Sequence, residues 1–145
     1  MYGDEISDRF VDVPNFLGVF ARDTLPETIT RPSGLVANTD TSNKSGQHWV
    51  AMYFDKDGTG EYFDSYGLPP LNDEFNTFLS QNSPNGHIYN NITLQCLNCI
   101  TCGHYCVAYL MTRFGGGTFP DFISLFTYNP NKNDLLIRFY FNLTE

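Results

Sequence analysis

The chain has 145 residues, of which 8 are Lys or Arg and 16 are Asp or Glu, so its formal net charge at pH 7 is −8. Hydrophobic residues make up 41% of the sequence and charged residues 17%, which excludes a disordered chain and predicts one domain, residues 1–145, with a packed core. The acidic balance argues against tight binding to a nucleic-acid backbone, which requires clustered Lys and Arg.

The sequence lacks the signals that direct a chain into or across a membrane. Its apolar runs are all shorter than the roughly 20 residues needed to span a bilayer. Its first residues, Met-Tyr-Gly-Asp-Glu, are acidic and do not resemble the basic and apolar regions of a signal peptide. We therefore expect an intracellular protein that has no membrane partner.

The first half of the chain predicts short strands that lead to a hairpin. Residues 1–12 predict a loop or a frayed turn, and the apolar segments Phe16–Phe20 and Leu35–Asn38 each predict a brief strand. His48–Phe54 predicts a longer strand, and a turn rich in Asp and Gly connects it to a return strand, Glu61–Ser65.

The second half of the chain is predicted to be mainly helical. Its predicted elements are a helix over Leu71–Leu79, a strand over Ile88–Leu94, a helix over Cys102–Phe114 that ends at Gly115-Gly116-Gly117, and short helices around Pro120–Phe126 and Asp134–Phe141. This order of strands and helices indicates an α+β domain with a mostly antiparallel sheet flanked by helices.

The predicted hairpin places a histidine beside a carboxylate. His48 begins the first strand and Asp64 lies at the end of the second, and such positions face one another at the open end of an antiparallel pair. A carboxylate in contact with an imidazole fixes its tautomer and stabilises its protonated form. The pair is therefore a candidate base and orienting group.

A cysteine at the start of a helix supplies the candidate nucleophile. Cys102 would face the positive end of the helix dipole and free backbone N–H groups, both of which favour the thiolate. Gly103 would leave room for a substrate carbonyl, and Gln95, a short distance upstream, could donate a hydrogen bond to the oxyanion. Considered alone, each of these residues has an ordinary structural explanation, and only their combination indicates catalysis.

The four cysteines allow a competing interpretation. Cys96, Cys99, Cys102 and Cys106 have the spacing of bacterial ferredoxin cluster ligands, but in such runs the fourth cysteine binds a different cluster, and this chain has only 4 cysteines. A zinc site is also conceivable, although the last two cysteines fall in a predicted helix with apolar neighbours. We expect no metal site and, in an intracellular protein, no disulfide.

The ordered motifs resemble those of the adenovirus maturation protease (adenain) family. The resemblance includes the proteases of Maverick/Polinton transposons and adintoviruses and, more distantly, the SUMO proteases. It covers roughly residues 16–114, and Gln95 precedes Cys102 by seven residues, as in that family. The motifs that carry it are His48-Trp49, Phe-Asp-Ser-Tyr-Gly over residues 63–67, Gln95, Cys102-Gly-x-x-Cys106, the leader Phe-Leu-Gly-Val-Phe-Ala-Arg-Asp-Thr-Leu-Pro over residues 16–26, and Asn38-Thr39-Asp40.

The resemblance implies a papain-like thiol protease that cleaves after Gly-Gly sequences in viral precursor proteins. It implies that His48 is the base, Asp64 its orienting group, Cys102 the nucleophile and Gln95 the oxyanion donor. Trp49 would line a narrow substrate channel that admits only glycine. Such an enzyme would act in a virion, a host nucleus or a cytoplasmic virus factory.

The chain also departs from the adenoviral pattern. Adenoviral enzymes are basic and use DNA as a cofactor, so the acidic charge predicts that this chain uses no DNA cofactor, and we expect no cofactor of another kind. The resemblance also implies an activating peptide as a partner, although this chain is shorter than those relatives. The alternatives that remain are a protease that removes SUMO or ubiquitin, and a metal-binding module built on the four cysteines.

Overall fold

A computed structural model describes residues 1–143 of the chain. The helices are α1 (Gly3–Asp8), α2 (Asp73–Asn82), α3 (Cys102–Phe114), α4 (Phe119–Ile123) and α5 (Pro130–Tyr140). The strands are β1 (Phe16–Ala21), β2 (Ser33–Asn38), β3 (Trp49–Phe54), β4 (Gly60–Phe63) and β5 (His87–Tyr89). Within the described residues, none of the helices has both the length and the apolar character needed to cross a membrane.

The five strands form one sheet in the order β1-β2-β3-β4-β5. The sheet is mixed: the central pairings of β2 with β3 and of β3 with β4 are antiparallel, and the edge pairings of β1 with β2 and of β4 with β5 are parallel. The α+β class expected from the sequence is confirmed, and the antiparallel pairings lie at the centre of the sheet.

The three central strands, β2, β3 and β4, are buried on both faces because helices cover both sides of the sheet. Alternate side chains of a strand point to opposite faces. Ala51 and Tyr53 of β3 therefore pack with α3, whereas Val50 and Met52 pack with α2. This arrangement fixes the start of α3, where Cys102 lies, next to the end of the central hairpin.

The predicted bounds of α3 agree with the structure, and Asn72 caps α2 by accepting a hydrogen bond from the Phe75 N–H. The prediction for residues 1–12 was wrong, because α1 forms there and the chain buries Ile6 and Phe10 in the core. A segment of so few apolar residues carries no clear helical period, and its helix depends on packing in the core.

Two further elements differ from their predicted bounds by four or more residues at one end. The last strand has three residues rather than seven, since the Asn90 side chain binds backbone groups of Asp64 and Ile92 and the chain leaves the sheet there. The last helix begins at Pro130, four residues earlier than predicted, because the Asn129 side chain caps it and proline fits the first helical position.

Candidate active site

The end of the central hairpin brings His48 and Asp64 into contact. His48 directly precedes β3 and Asp64 directly follows β4, and their side chains lie on the same face because Ala51 pairs with Phe63. The His48 Nε2 atom is 2.7 Å from Asp64 Oδ1. Both side chains are largely shielded from solvent, so little water competes for this hydrogen bond.

Backbone and side-chain groups hold the Asp64 carboxylate and the His48 ring in place. The Tyr66 N–H donates to Asp64 Oδ1 at 2.8 Å, and the Tyr66 ring stacks on the His48 imidazole with 4.8 Å between centroids. Asn90 accepts from the Asp64 N–H at 3.0 Å and donates to the Asp64 carbonyl at 2.6 Å. The orientation of the imidazole is therefore fixed from two sides.

Cys102 is the first residue of α3 and is half-buried. Thr101, which precedes the helix, does not cap it, since its hydroxyl donates to Asp134 instead. Burial alone raises the pKa of the Cys102 thiol, but hydrogen bonds from His48 and from the Trp49 and Gly103 N–H groups lower it, and the net shift is downward. The site therefore favours the thiolate.

The contacts of His48 favour its protonated form. Burial alone lowers the pKa of His48, but its hydrogen bonds to Asp64 and Cys102 raise it to about 9. Because Nε2 faces Asp64, Nδ1 is the ring nitrogen left for the thiol. The lowered pKa of Cys102 and the raised pKa of His48 indicate that their contacts stabilise a thiolate–imidazolium pair. Such a pair is suited to nucleophilic attack on a carbonyl.

Gln95 is buried in the loop that precedes α3. Its Oε1 atom accepts a hydrogen bond from the Ser65 hydroxyl at 2.5 Å, and its Nε2 atom donates to the Cys99 carbonyl at 2.6 Å. One hydrogen of the Nε2 group is thus engaged and a second remains. The side chain has a defined orientation and a donor left for another acceptor.

Trp49 and Gly103 meet beside the nucleophile. A Cβ atom added to Gly103 would lie 3.2 Å from Trp49 Cδ1 and 3.0 Å from Met1 Cβ, so only glycine fits there without displacing a neighbour. The Trp49 indole donates to the Met1 carbonyl at 2.9 Å. Met1 and Trp49 thus occupy the space over Gly103 that the sequence analysis assigned to a substrate carbonyl.

The four cysteines separate into a bonded pair and two free thiols. Cys96 and Cys99 form a disulfide, so the expectation of no disulfide was wrong. The Cys99 N–H donates to the Cys96 carbonyl at 3.1 Å, so the two residues are the first and last of a turn and their sulfur atoms can meet. Cys102 and Cys106 are free, and Cys106 is fully buried in the core among apolar side chains.

This separation argues against a four-cysteine cluster. Among residues 1–143, the group able to share a metal ion comprises Cys96, Cys99 and Asp134 and does not include the other two cysteines. The Asp134 carboxylate already binds Thr101 and Arg138. Cys106 lies on α3 among apolar side chains, so it cannot join a metal bound by the loop that carries Cys96 and Cys99.

Thiol titration checks this division. We expect the native, unreduced protein to react with an aromatic disulfide reagent mainly at Cys102, because burial raises the pKa of Cys106 well above its usual value and covers its sulfur. Denaturation should expose both free thiols, and prior reduction should expose all 4 cysteines. Stoichiometric zinc in the purified protein, or four thiols without reduction, would contradict the assignment.

Comparison with solved structures finds a protease of similar fold. The chain is similar to the structure titled "Crystal Structure of Se-Met ASFV pS273R protease", with a TM-score of 0.56 and 26% identity over 73% of this chain. The match covers 42% of that protein, so this chain spans less than half of its length. The likeness supports a distant relationship between this chain and part of that protease.

A second solved structure has a weaker likeness. It is titled "Central domain of uncharacterized Lpg1148 protein from Legionella pneumophila", and it has a TM-score of 0.46 and 15% identity, covering 86% of this chain and 82% of that one. No family model matches the chain, and no curated protein sequence matches it.

The structure thus brings together His48, Asp64 and Cys102, with Trp49 and Gly103 beside them. Sequence reasoning missed three residues that support this group, Ser65, Tyr66 and Asn90. Ser65 and Tyr66 lie within the Phe-Asp-Ser-Tyr-Gly motif, which was a usable signal. Asn90 had no such signal, because its contact with Asp64 joins residues 26 positions apart.

Proposed function

We propose that the chain is a cysteine endopeptidase in which Cys102 is the nucleophile, His48 the base and Asp64 its orienting group. The observation that carries the proposal is the continuous contact from Asp64 through His48 to Cys102 at the start of a helix. These three groups, in this order of contact, are the parts required for acyl transfer to a thiol.

The proposed reaction follows from the positions of these groups. The Cys102 thiolate attacks the scissile carbonyl, and the Gln95 amide and the Cys102 N–H stabilise the oxyanion. Protonated His48 donates its proton to the leaving amine, which yields a thioester. Neutral His48 then removes a proton from water, which hydrolyses the thioester and regenerates the thiol. Asp64 stabilises the imidazolium and does not itself transfer a proton.

The contact of Trp49 with Gly103 supports a preference for glycine next to the scissile bond. The indole and the Met1 side chain cover the first turn of α3, which leaves little room for a substrate side chain near Cys102. A substrate with Gly-Gly has no Cβ atoms to collide with these walls. We therefore assign cleavage after Gly-Gly sequences.

The natural substrates in this proposal are capsid precursor proteins of a virus or a virus-like transposon. The likeness to the ASFV protease supports a viral setting. The enzyme would then act in a virion, a host nucleus or a cytoplasmic virus factory. Its acidic charge supports activity without DNA, and an activating peptide stays a possible partner.

A cleavage assay with a peptide containing Leu-x-Gly-Gly tests this function. We expect the wild-type protein to cleave after the second glycine and the Cys102→Ala variant to be inactive, since no other group of the site can form the thioester. Mass spectrometry of the products identifies the cleaved bond. The matched control is Cys106→Ala, which removes a thiol that is buried in the core and should keep most of the activity.

A second assay, labelling by an activated probe, separates the proposal from the removal of SUMO or ubiquitin. A ubiquitin or SUMO probe with an activated C-terminus should label Cys102 slowly or not at all if the substrates are capsid precursors. Rapid labelling by such a probe would assign a modifier substrate instead. Cleavage by Cys102→Ala at the wild-type rate would overturn the assignment of the nucleophile.

A further inference from the structure

Ser65 binds the candidate oxyanion donor through both its side chain and its backbone. Its hydroxyl donates to Gln95 Oε1 at 2.5 Å, and its carbonyl accepts from the N–H groups of Gln95 at 3.0 Å and Leu94 at 2.8 Å. Ser65 and Gln95 are 0% and 1% exposed, so water does not replace these bonds. Ser65 therefore fixes both the position of the Gln95 backbone and the rotation of its side chain.

The partners of the Gln95 amide allow only one orientation. With Oε1 facing the Ser65 hydroxyl and Nε2 facing the Cys99 carbonyl, each atom meets a complementary group. If the amide turned over, Oε1 would face the Cys99 carbonyl, and two acceptors would oppose each other without a proton between them. The Ser65 hydroxyl therefore helps to hold the Nε2 group on the side where its second hydrogen is free.

Ser65 directly follows Asp64, and the two side chains bind different parts of the site. The Asp64 side chain reaches His48, whereas the Ser65 side chain reaches Gln95. Asp64 thus orients the base, and the adjacent Ser65 orients the Gln95 amide. Movement of one residue would disturb both halves of the site.

We propose that Ser65 is a positioning residue that aims the Gln95 amide at the oxyanion formed during attack by Cys102. The inference rests on the proposed thiol protease function and adds a role for a residue that does not contact the reacting atoms. Loss of the hydroxyl should let the amide rotate, which lowers transition-state stabilisation without changing the nucleophile or the base.

The first test compares two reactions of the same cysteine in Ser65→Ala. Peptide cleavage passes through an oxyanion, whereas alkylation of Cys102 by iodoacetamide requires only the thiolate. We expect kcat for cleavage to fall by about 10-fold or more, up to the 10² to 10³-fold typical of a lost oxyanion donor, with little change in KM. The rate of alkylation should stay at the wild-type value. Ser65→Thr, which keeps the hydroxyl, should retain more activity than Ser65→Ala.

A double-mutant cycle with Gln95→Ala provides the second test. If Ser65 acts through Gln95, Ser65→Ala should have little further effect on kcat when Gln95 is already alanine. Additive losses, or equal losses of cleavage and alkylation, would show a general structural role and overturn the inference. Full activity in Ser65→Ala would also overturn it.

The outcomes distinguish this inference from the proposed function. If the wild-type protein cleaves the Gly-Gly peptide but the losses in the cycle are additive, only the role of Ser65 is contradicted. If the folded wild-type protein is alkylated at Cys102 but cleaves no Gly-Gly peptide, both the proposed function and the role of Ser65 are contradicted.

Discussion

Replacing His48 with alanine should lower kcat for cleavage of the Gly-Gly peptide by about 10² to 10⁴-fold or more, the usual cost of losing a general base and its ion pair with the nucleophile. His48 contacts both Asp64 and Cys102, and its contact lowers the pKa of the Cys102 thiol. The variant should therefore also react more slowly with iodoacetamide at neutral pH. Steady-state kinetics and the alkylation rate measure the two effects.

The other two histidines provide matched controls. His87 lies exposed on β5, and His104 packs against Phe141 on the far side of the first turn of α3 from the nucleophile. His87→Ala and His104→Ala should each keep most of the activity and the rate of alkylation. Near-normal turnover in His48→Ala would show that the proposed base is wrong.

The largest expected effect on stability comes from Arg113 of α3, whose side chain packs against the sheet. Its guanidinium donates a hydrogen bond to Glu61 Oε1 at 3.1 Å and lies 4.2 Å from the centre of the Tyr53 ring, and the side chain is only 9% exposed. Arg113→Leu would leave the buried Glu61 carboxylate without a cation. We expect the free energy of unfolding at neutral pH to fall by about 3 to 5 kcal/mol, measured by urea denaturation.

The pH dependence of this loss identifies its cause. Burial raises the pKa of Glu61 above its usual value, so the native state binds this proton more tightly than the unfolded state, and the contribution of Glu61 to stability falls as the pH rises. Removing the positive charge of Arg113 should raise that pKa further. The deficit of Arg113→Leu should therefore be largest at neutral pH and shrink as the pH is lowered and Glu61 becomes protonated.

Two controls accompany this measurement. Asp55→Asn removes the exposed partner of Arg113 and should cost less than about 1 kcal/mol, as is usual for solvated ion pairs. Adding Glu61→Leu to Arg113→Leu should recover part of the stability, since no unpaired charge then remains. A deficit that is independent of pH and unaffected by Glu61→Leu would attribute the loss to packing alone.

The elements with strong local signals were predictable from the sequence. The helix from Cys102 to Phe114 ends at three glycines, and the hairpin has apolar strand residues on both sides of a turn of Asp and Gly, so both patterns act over a few neighbouring residues. The hairpin also predicted the contact of His48 with Asp64, because register alone brings those positions together. Elements such as α1, which depend on distant packing, were missed.

The sequence by itself determined the α+β class and the order of the chemical groups, namely a histidine and a carboxylate on a hairpin followed by a cysteine at a helix start. These features follow from local patterns and strand register, which act over short separations along the chain. Only the tertiary structure decided which groups support them: Ser65 on Gln95, Asn90 on Asp64, Met1 on Trp49 and the bond between Cys96 and Cys99. All but the disulfide join residues 26 or more positions apart, and the disulfide depends on a loop whose course the surrounding elements set. Such contacts arise when separate elements pack together, and a single sequence gives no local pattern for them.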